Sequence, residues 1–271
     1  MNCAMGANLM KNKSFVEIRK VIAVYLAIII VWQFSYWIFV EQFSLVKPYI
    51  FPSPLGIINT LKRLIESKLL LLALFNSFRK IFIGIIISIA LGLILGLLLS
   101  CNEFLNNVLR PIVLGFQTLP SICFVPFSLL WFGLNDAATI FVIVIGSVFS
   151  ICIAIESAVK NVNPVFQKAA RTMGASNLEV FFKVTLPACL PEFITGLKHG
   201  WSFAWRALIS GEMVSGTVGG LGYVLLIGRE LLDIDQIMLV VIILVVISIA
   251  IEKLILGKIE EKVRRKMGLM K

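Results

Sequence analysis

The chain has 271 residues, 59% of them hydrophobic and only 15% charged, with a mean hydropathy of +0.98. So small a polar fraction cannot cover a soluble surface, so lipid must cover part of the outside; in hydrocarbon only helices or a closed barrel satisfy the backbone. The net charge of +10 comes with no basic stripe interleaved with aromatics, which excludes nucleic acid as the partner, and one histidine, His199, excludes a multi-histidine metal site.

Apolar runs of about 20 residues fit membrane helices, whereas barrel strands alternate over about 10. Lys11, Lys13, Arg19 and Lys20 precede the first span, Val21–Val40. That run is too long for a signal-peptide core and has no small-residue cleavage site. Next comes Phe51-Pro-Ser-Pro54, where proline sets a turn and Ser53 is placed to cap. Leu55, Ile58, Leu61 and Ile65 then recur at helical spacing up to Ser67, which predicts an interfacial amphipathic helix. The second span, Ile81–Ser100, carries Gly84, Ser88, Gly92 and Gly96 on one face, the pattern that lets membrane helices approach closely.

The third span, about Ile112 to Leu134, contains Pro120 and Pro126, which kink or break a helix, either lining a pathway or packing harmlessly. The fourth runs from about Ala137 to Ile155, the fifth from about Pro191 to Met213, the sixth from about Ile234 to Ile251. The glycine-rich segment Gly216–Gly222 reads as an outer loop that turns the chain back toward the membrane, part of a gate, with no obvious anion to cradle. Cys3, Cys101, Cys123, Cys152 and Cys189 form no redox or metal motif and read as small apolar residues.

Lys and Arg are concentrated in the N-terminal segment, the loop after the fourth span and the tail, including Lys160, Lys168, Arg171, Lys183, Lys258, Lys262, Arg264, Arg265 and Lys266. By the positive-inside rule both termini face the cytoplasm. The expected organisation is a cytoplasmic segment 1–20, a transmembrane domain 21–256 with a cytoplasmic loop 157–187, and a basic cytoplasmic tail 257–271.

The polar stretch Glu156–Pro187, between the fourth and fifth spans, predicts a helix-turn-helix elbow. Asn163 caps, Pro164 opens the first helix, and Gly174 ends it in a left-handed conformation. Ser176 or Asn177 caps a second helix bearing Leu178, Phe181 and Phe182, which Val184-Thr-Leu-Pro187 ends. Exposed apolar residues there point to docking in a partner's groove.

The spacing of Lys168-Ala169-Ala170, Gly174 and Val184-Thr-Leu186-Pro187 resembles the cytoplasmic signature of ABC importer permeases: an Glu-Ala-Ala triplet, a glycine, and a hydrophobic-x-Leu-Pro ending. The resemblance implies an all-α bundle of about six transmembrane helices with the type I importer (MetI-like) permease fold. It also implies that Lys168, Ala169, Ala170, Gly174, Ala175, Phe181, Leu186 and Pro187 couple to a separate ATPase. Lys168 stands where the family has Glu, so any salt bridge made by that Glu is lost or inverted.

Phe51-Pro-Ser-Pro54, Asn76-Ser-Phe-Arg79, Leu130-Trp-Phe-Gly133, Trp205, Gly211-Glu-Met213 and Gly220-Leu-Gly-Tyr223 are similar to the branch serving nitrate, sulfonates and taurine. That likeness implies a permease homodimer, two ATPase subunits and an extracytoplasmic solute-binding protein in a prokaryotic cell membrane. The chain has no G-x-x-x-x-G-K-[ST] phosphate loop, so ATP is hydrolysed elsewhere. The permease itself is expected to be non-catalytic and to need no cofactor.

The fifth span carries charges. His199, Ser202, Arg206 and Ser210 share one face; Lys198, Trp205 and Glu212 lie on a neighbouring one. An arginine at mid-bilayer costs about 2.5–3.5 kcal/mol on insertion scales, so Arg206 must face protein or water. Arg206, Glu212, Trp205, Ser202 and Ser210 are the candidates for the pathway or gate, against a structural ion pair or dimer contact for Arg206 and an exposed outer charge for Glu212. Lys198 is expected to snorkel to the headgroups. A secondary transporter or channel acting alone would instead need repeated halves and buried ion sites, and a membrane enzyme a catalytic cluster.

Overall fold

The computed structural model describes residues 19, 23–24, 26–47, 49–215 and 219–268. The expected segment 1–20, apart from Arg19, the start of the first span, Cys3, Lys271 and residues 216–218 of the glycine-rich segment lie outside the described residues.

Among the described residues all regular structure is helical. In chain order the helices are α1 (Leu26–Gln42), α2 (Pro54–Glu66), α3 (Leu69–Cys101), α4 (Glu103–Thr118), α5 (Ser121–Phe132), α6 (Asp136–Lys160), α7 (Pro164–Thr172), α8 (Asn177–Ser215), α9 (Leu221–Glu230) and α10 (Ile234–Lys266). Four of them, α3, α6, α8 and α10, are long and apolar enough to cross a membrane. The chain divides into two compact units, residues 1–67 with 228–239, and 68–227 with 240–271.

In the first unit, Ser53 Oγ accepts from Gly56 N at 2.8 Å and starts α2 where the prolines predict. Asp235 Oδ1 accepts from Ser53 N at 2.8 Å, and Arg63 pairs with Asp233 at 2.6 Å, so the start of α10 and the residue before it fasten α2 at both ends. The inward face of α2 differs from the expected stripe: Ile57, Thr60 and Leu64 are buried, while Leu55, Ile58 and Ile65 are exposed. An interfacial helix can keep its more apolar face for lipid and bury a mixed one.

The second unit is built around α6. In its most apolar stretch 61% is buried, against 28% for α3 and 33% for α8, so α6 is the central helix. The small face of α3 makes the close approach possible. A Cβ on Gly84 would stand 2.5 Å from Ile143 Cγ2, and one on Gly92 2.7 Å from Ile151 Cγ2. Ser147 Oγ donates to Ser88 Oγ across that seam at 2.8 Å. The seam with α8 repeats the device: Gly196 abuts Ala154, Gly200 abuts Ile151, and Ala204, Ala207 and Leu208 are wholly buried.

Pro120 breaks the third span into two helices, α4 and α5, which meet at 98° around Leu119-Pro120, while Pro126 sits harmlessly in the first turn of α5's regular part. Two expectations are corrected. The polar stretch does not begin at Glu156, which is buried in the last turns of α6; only residues 161–163 link α6 to α7. Val184-Thr-Leu-Pro187 does not end the second elbow helix. A widened turn at Phe181–Thr185 opens the backbone ahead of Pro187, and α8 runs unbroken from the elbow through the fifth span.

Candidate functional site

The elbow forms as its caps dictate. Asn163 Oδ1 accepts from Val165 N at 3.0 Å and Pro164 opens α7. Gly174 closes α7 at φ +85°, a conformation glycine adopts without strain. Ser176 and Glu179 then form a reciprocal capping box at the start of α8, and Lys183 pairs with Glu179 at 2.8 Å. Ala170 and Val180 turn inward, while Val165, Phe166, Met173, Leu178 and Phe182 are exposed on this one short elbow. Lys168, Ala169, Gly174 and Leu186 are also exposed; Ala175, Phe181 and Pro187 are half-buried.

At the end of α3, α6 and α8 away from the elbow lies a buried polar network that sequence reasoning missed. Glu212, wholly buried, accepts from Lys80 Nζ at 2.9 Å, from Ser77 Oγ at 2.9 Å and from Gly222 N at 2.9 Å. Ser77 Oγ also accepts from Leu221 N at 2.9 Å, and Asn76 Nδ2 donates to Gly219 O at 3.0 Å. Asp136 lies 3.5 Å from Lys80 and pairs with Arg79. Thus Asn76-Ser-Phe-Arg79, Gly211-Glu-Met213 and Gly220-Leu-Gly-Tyr223, far apart in the chain, meet at one point.

The described end of the glycine segment, Gly220 to Gly222, does enclose an anion: the carboxylate of Glu212. A Cβ on Gly220 would lie 2.2 Å from Glu212 Oε1, so a side chain there would push the carboxylate from its donors. Glu212 is therefore not an exposed outer charge. Its partner Lys80 could have been found by pairing the two ionisable residues that border opposing apolar runs.

Arg206 stands apart. It is exposed on α8 and lines a cavity of about 340 Å³ with Gln117, Thr118, Leu119, Pro120, Ser121, Ile122, Gly146 and Phe203. The break between α4 and α5 forms the facing wall. Arg206 Nε donates to Ser202 O at 3.0 Å and the guanidinium lies 4.6 Å from the Phe203 ring centre. Among the described residues no carboxylate pairs with it. Ser210 Oγ lies 3.5 Å from Ser121 Oγ at the cavity's edge. Trp205 is buried, stacked on Trp201 and tilted against Phe78. Of the five pathway candidates, then, Arg206 lines the cavity, Ser202 and Ser210 adjoin it, and Trp205 and Glu212 face the helix seams. Lys198 pairs with Glu260 of α10 at 3.0 Å.

Comparison with known proteins adds the following. Residues 88–265 match the family described as binding-protein-dependent transport system inner membrane component. A putative ABC transporter permease protein of Methanocaldococcus jannaschii is 35% identical over 154 residues, a match covering 57% of this chain and 55% of that relative. The putative aliphatic sulfonates transport permease protein SsuC of Escherichia coli is 30% identical, over 79% of this chain and 80% of that one. A subunit of the MetNI methionine ABC transporter in an inward-facing conformation superimposes with a TM-score of 0.61 at 23% identity, over 72% of this chain and 96% of that one; at that identity the likeness concerns the fold.

Proposed function

The chain belongs to the binding-protein-dependent transport system inner membrane component family, and from that premise we propose that it carries a small anion across the membrane through the cavity at Arg206. It is a permease of an ATP-binding-cassette importer, of the branch whose members serve nitrate, sulfonates and taurine, and it is itself non-catalytic. An ATPase and a binding protein are its partners.

Two permease copies and two ATPases assemble, with both termini and the elbow in the cytoplasm. The coupling residues Lys168, Ala169, Ala170, Gly174, Ala175, Phe181, Leu186 and Pro187 form or support the surface that the ATPase grips. The binding protein delivers solute at the opposite end, where the Glu212–Lys80 network holds the glycine segment as part of the gate; Trp205 backs the helix that carries Arg206. Residues 1–20 and 257–271 flank the transmembrane domain 21–256 on the cytoplasmic side.

The observation that carries the coupling role is the capped elbow with its row of exposed apolar side chains, surface that water disfavours and a partner's groove would cover. The anion assignment rests on Arg206, an arginine in a cavity with no carboxylate partner among the described residues. Reconstitution tests both. Proteoliposomes holding the permease, its ATPase and its binding protein are expected to accumulate a sulfonate or similar anion only with ATP. Uptake driven without the ATPase would instead favour a transporter acting alone.

A further inference from the structure

Glu156 sits near the elbow end of α6 with its side chain 2% exposed. A carboxylate so placed must be met by donors from its surroundings. Lys160 reaches Oε1 at 2.7 Å from the same helix. Ser157 Oγ, also on α6, donates to Oε2 at 3.4 Å, and two donors come from α4: Asn106 Nδ2 bonds Oε1 at 2.9 Å and Arg110 Nε bonds Oε2 at 3.3 Å. Asn106 Nδ2 also donates to Leu99 O, near the end of α3, at 3.2 Å.

The rest of α4 packs through half-buried residues such as Leu105, Val113 and Leu114. Asn106 is its one buried residue, and Phe104, Val108, Leu109 and Ile112 are exposed. Another attachment is the stack of Phe116 on Phe149 of α6, with ring centres 5.2 Å apart. Eleven and twelve residues beyond Asn106, about 16–18 Å along the helix, Gln117 and Thr118 line the Arg206 cavity. The Gln117 Oε1 there is buried without a hydrogen-bond partner. On the other side of Glu156, Lys160 ends α6 and leads within three residues into α7 of the elbow.

We propose that Glu156 is a positioning residue that clamps α4 to α6, so that movement of the elbow is carried along α4 to the wall of the Arg206 cavity. The proposal rests on the reading of the elbow as the ATPase grip and of the cavity as part of the path. A polar clamp suits this role better than an apolar contact. Its directional bonds fix the register of two helices where a greasy seam would let them slide.

The test uses the assembled permease–ATPase complex in a cysteine-free background, with Thr118→Cys as reporter of the cavity wall and Met173→Cys as reporter of the elbow. The probe is a membrane-impermeant methanethiosulfonate, applied without nucleotide and after trapping with ATP and vanadate. With Glu156 intact, the ATPase shields position 173 and trapping changes the reaction rate at position 118 by about tenfold. Glu156→Gln is expected to keep the shield at 173 while the change at 118 falls below roughly twofold. Asn106→Leu, which leaves the carboxylate with both its cations, is expected to act in the same direction, and Glu156→Asp to restore most of the change. Should Glu156→Gln fail to assemble, Asn106→Leu decides. An undiminished change at 118 in the variant that assembles overturns the clamp alone. Absence of shielding at 173 with Glu156 intact overturns the elbow reading, and the clamp with it.

Discussion

Lys80 and Arg206 are both cations set in apolar helices, yet their surroundings are opposite. Lys80 is 1% exposed and its charge is spent within the protein, on Glu212 at 2.9 Å and Asp136 at 3.5 Å. Arg206 is exposed to a cavity, and its guanidinium meets a carbonyl and a phenyl ring. A cation neutralised in place holds helices together. One whose fork still points into open space has capacity left for an anion. Position in an apolar run cannot separate the two cases; the partner can.

The sharpest way to break this contrast is to remove one member of the buried pair. Lys80→Met leaves Glu212 charged and unmatched, which costs about 3–5 kcal/mol. Thermal unfolding of the purified permease in detergent should show the loss, and the double variant Lys80→Met/Glu212→Gln, which removes the charge but keeps an acceptor for Ser77 and Gly222, should recover most of it. A single variant as stable as the parent would show that the pair does not hold the glycine segment.

Arg206 should behave the other way. Arg206→Ala is expected to leave assembly and unfolding nearly unchanged while slowing ATP-driven uptake by about tenfold, or about 1.4 kcal/mol. Arg206→Lys, which keeps the charge but loses the planar fork, should fall between. Normal transport by Arg206→Ala at normal abundance would return Arg206 to a packing role.

A smaller effect separates shape from contact at the elbow. Gly174 has φ +85° and open space where a Cβ would stand. Gly174→Ala is therefore expected to cost about 1–2 kcal/mol through backbone strain, and Gly174→Asn less, since asparagine tolerates the left-handed region. Recovery of the ATPase complex from membranes measures this. Equal failure of both variants would mean that the ATPase touches position 174 itself and tolerates no side chain there.

Local signals in the sequence were faithful where the chemistry was local. The Ser53 and Asn163 caps, the turn at Gly174 and the small face at Gly84, Ser88, Gly92 and Gly96 all depend on residues within a few positions, and all are present. What escaped was pairing at a distance. Nothing in the neighbourhood of Lys80 names Glu212, 132 positions on. The continuous α8 was hidden for a related reason: Leu-Pro after a polar stretch signals a stop, and only the widened turn at Phe181–Thr185 lets the helix pass. Polarity places Glu156 in a loop, although its carboxylate is buried and met by Asn106 and Arg110 of the distant α4.

The central claim is that a motor subunit grips the surface around Met173 from the cytoplasm. A photoreactive side chain at position 173, activated in membranes of cells that make the whole transporter, addresses it directly. The expected product is this permease joined to a subunit bearing a nucleotide-phosphate loop, with position 173 shielded from reagents added outside intact cells. Labelling of that position from outside, with no ATPase captured, would contradict the claim.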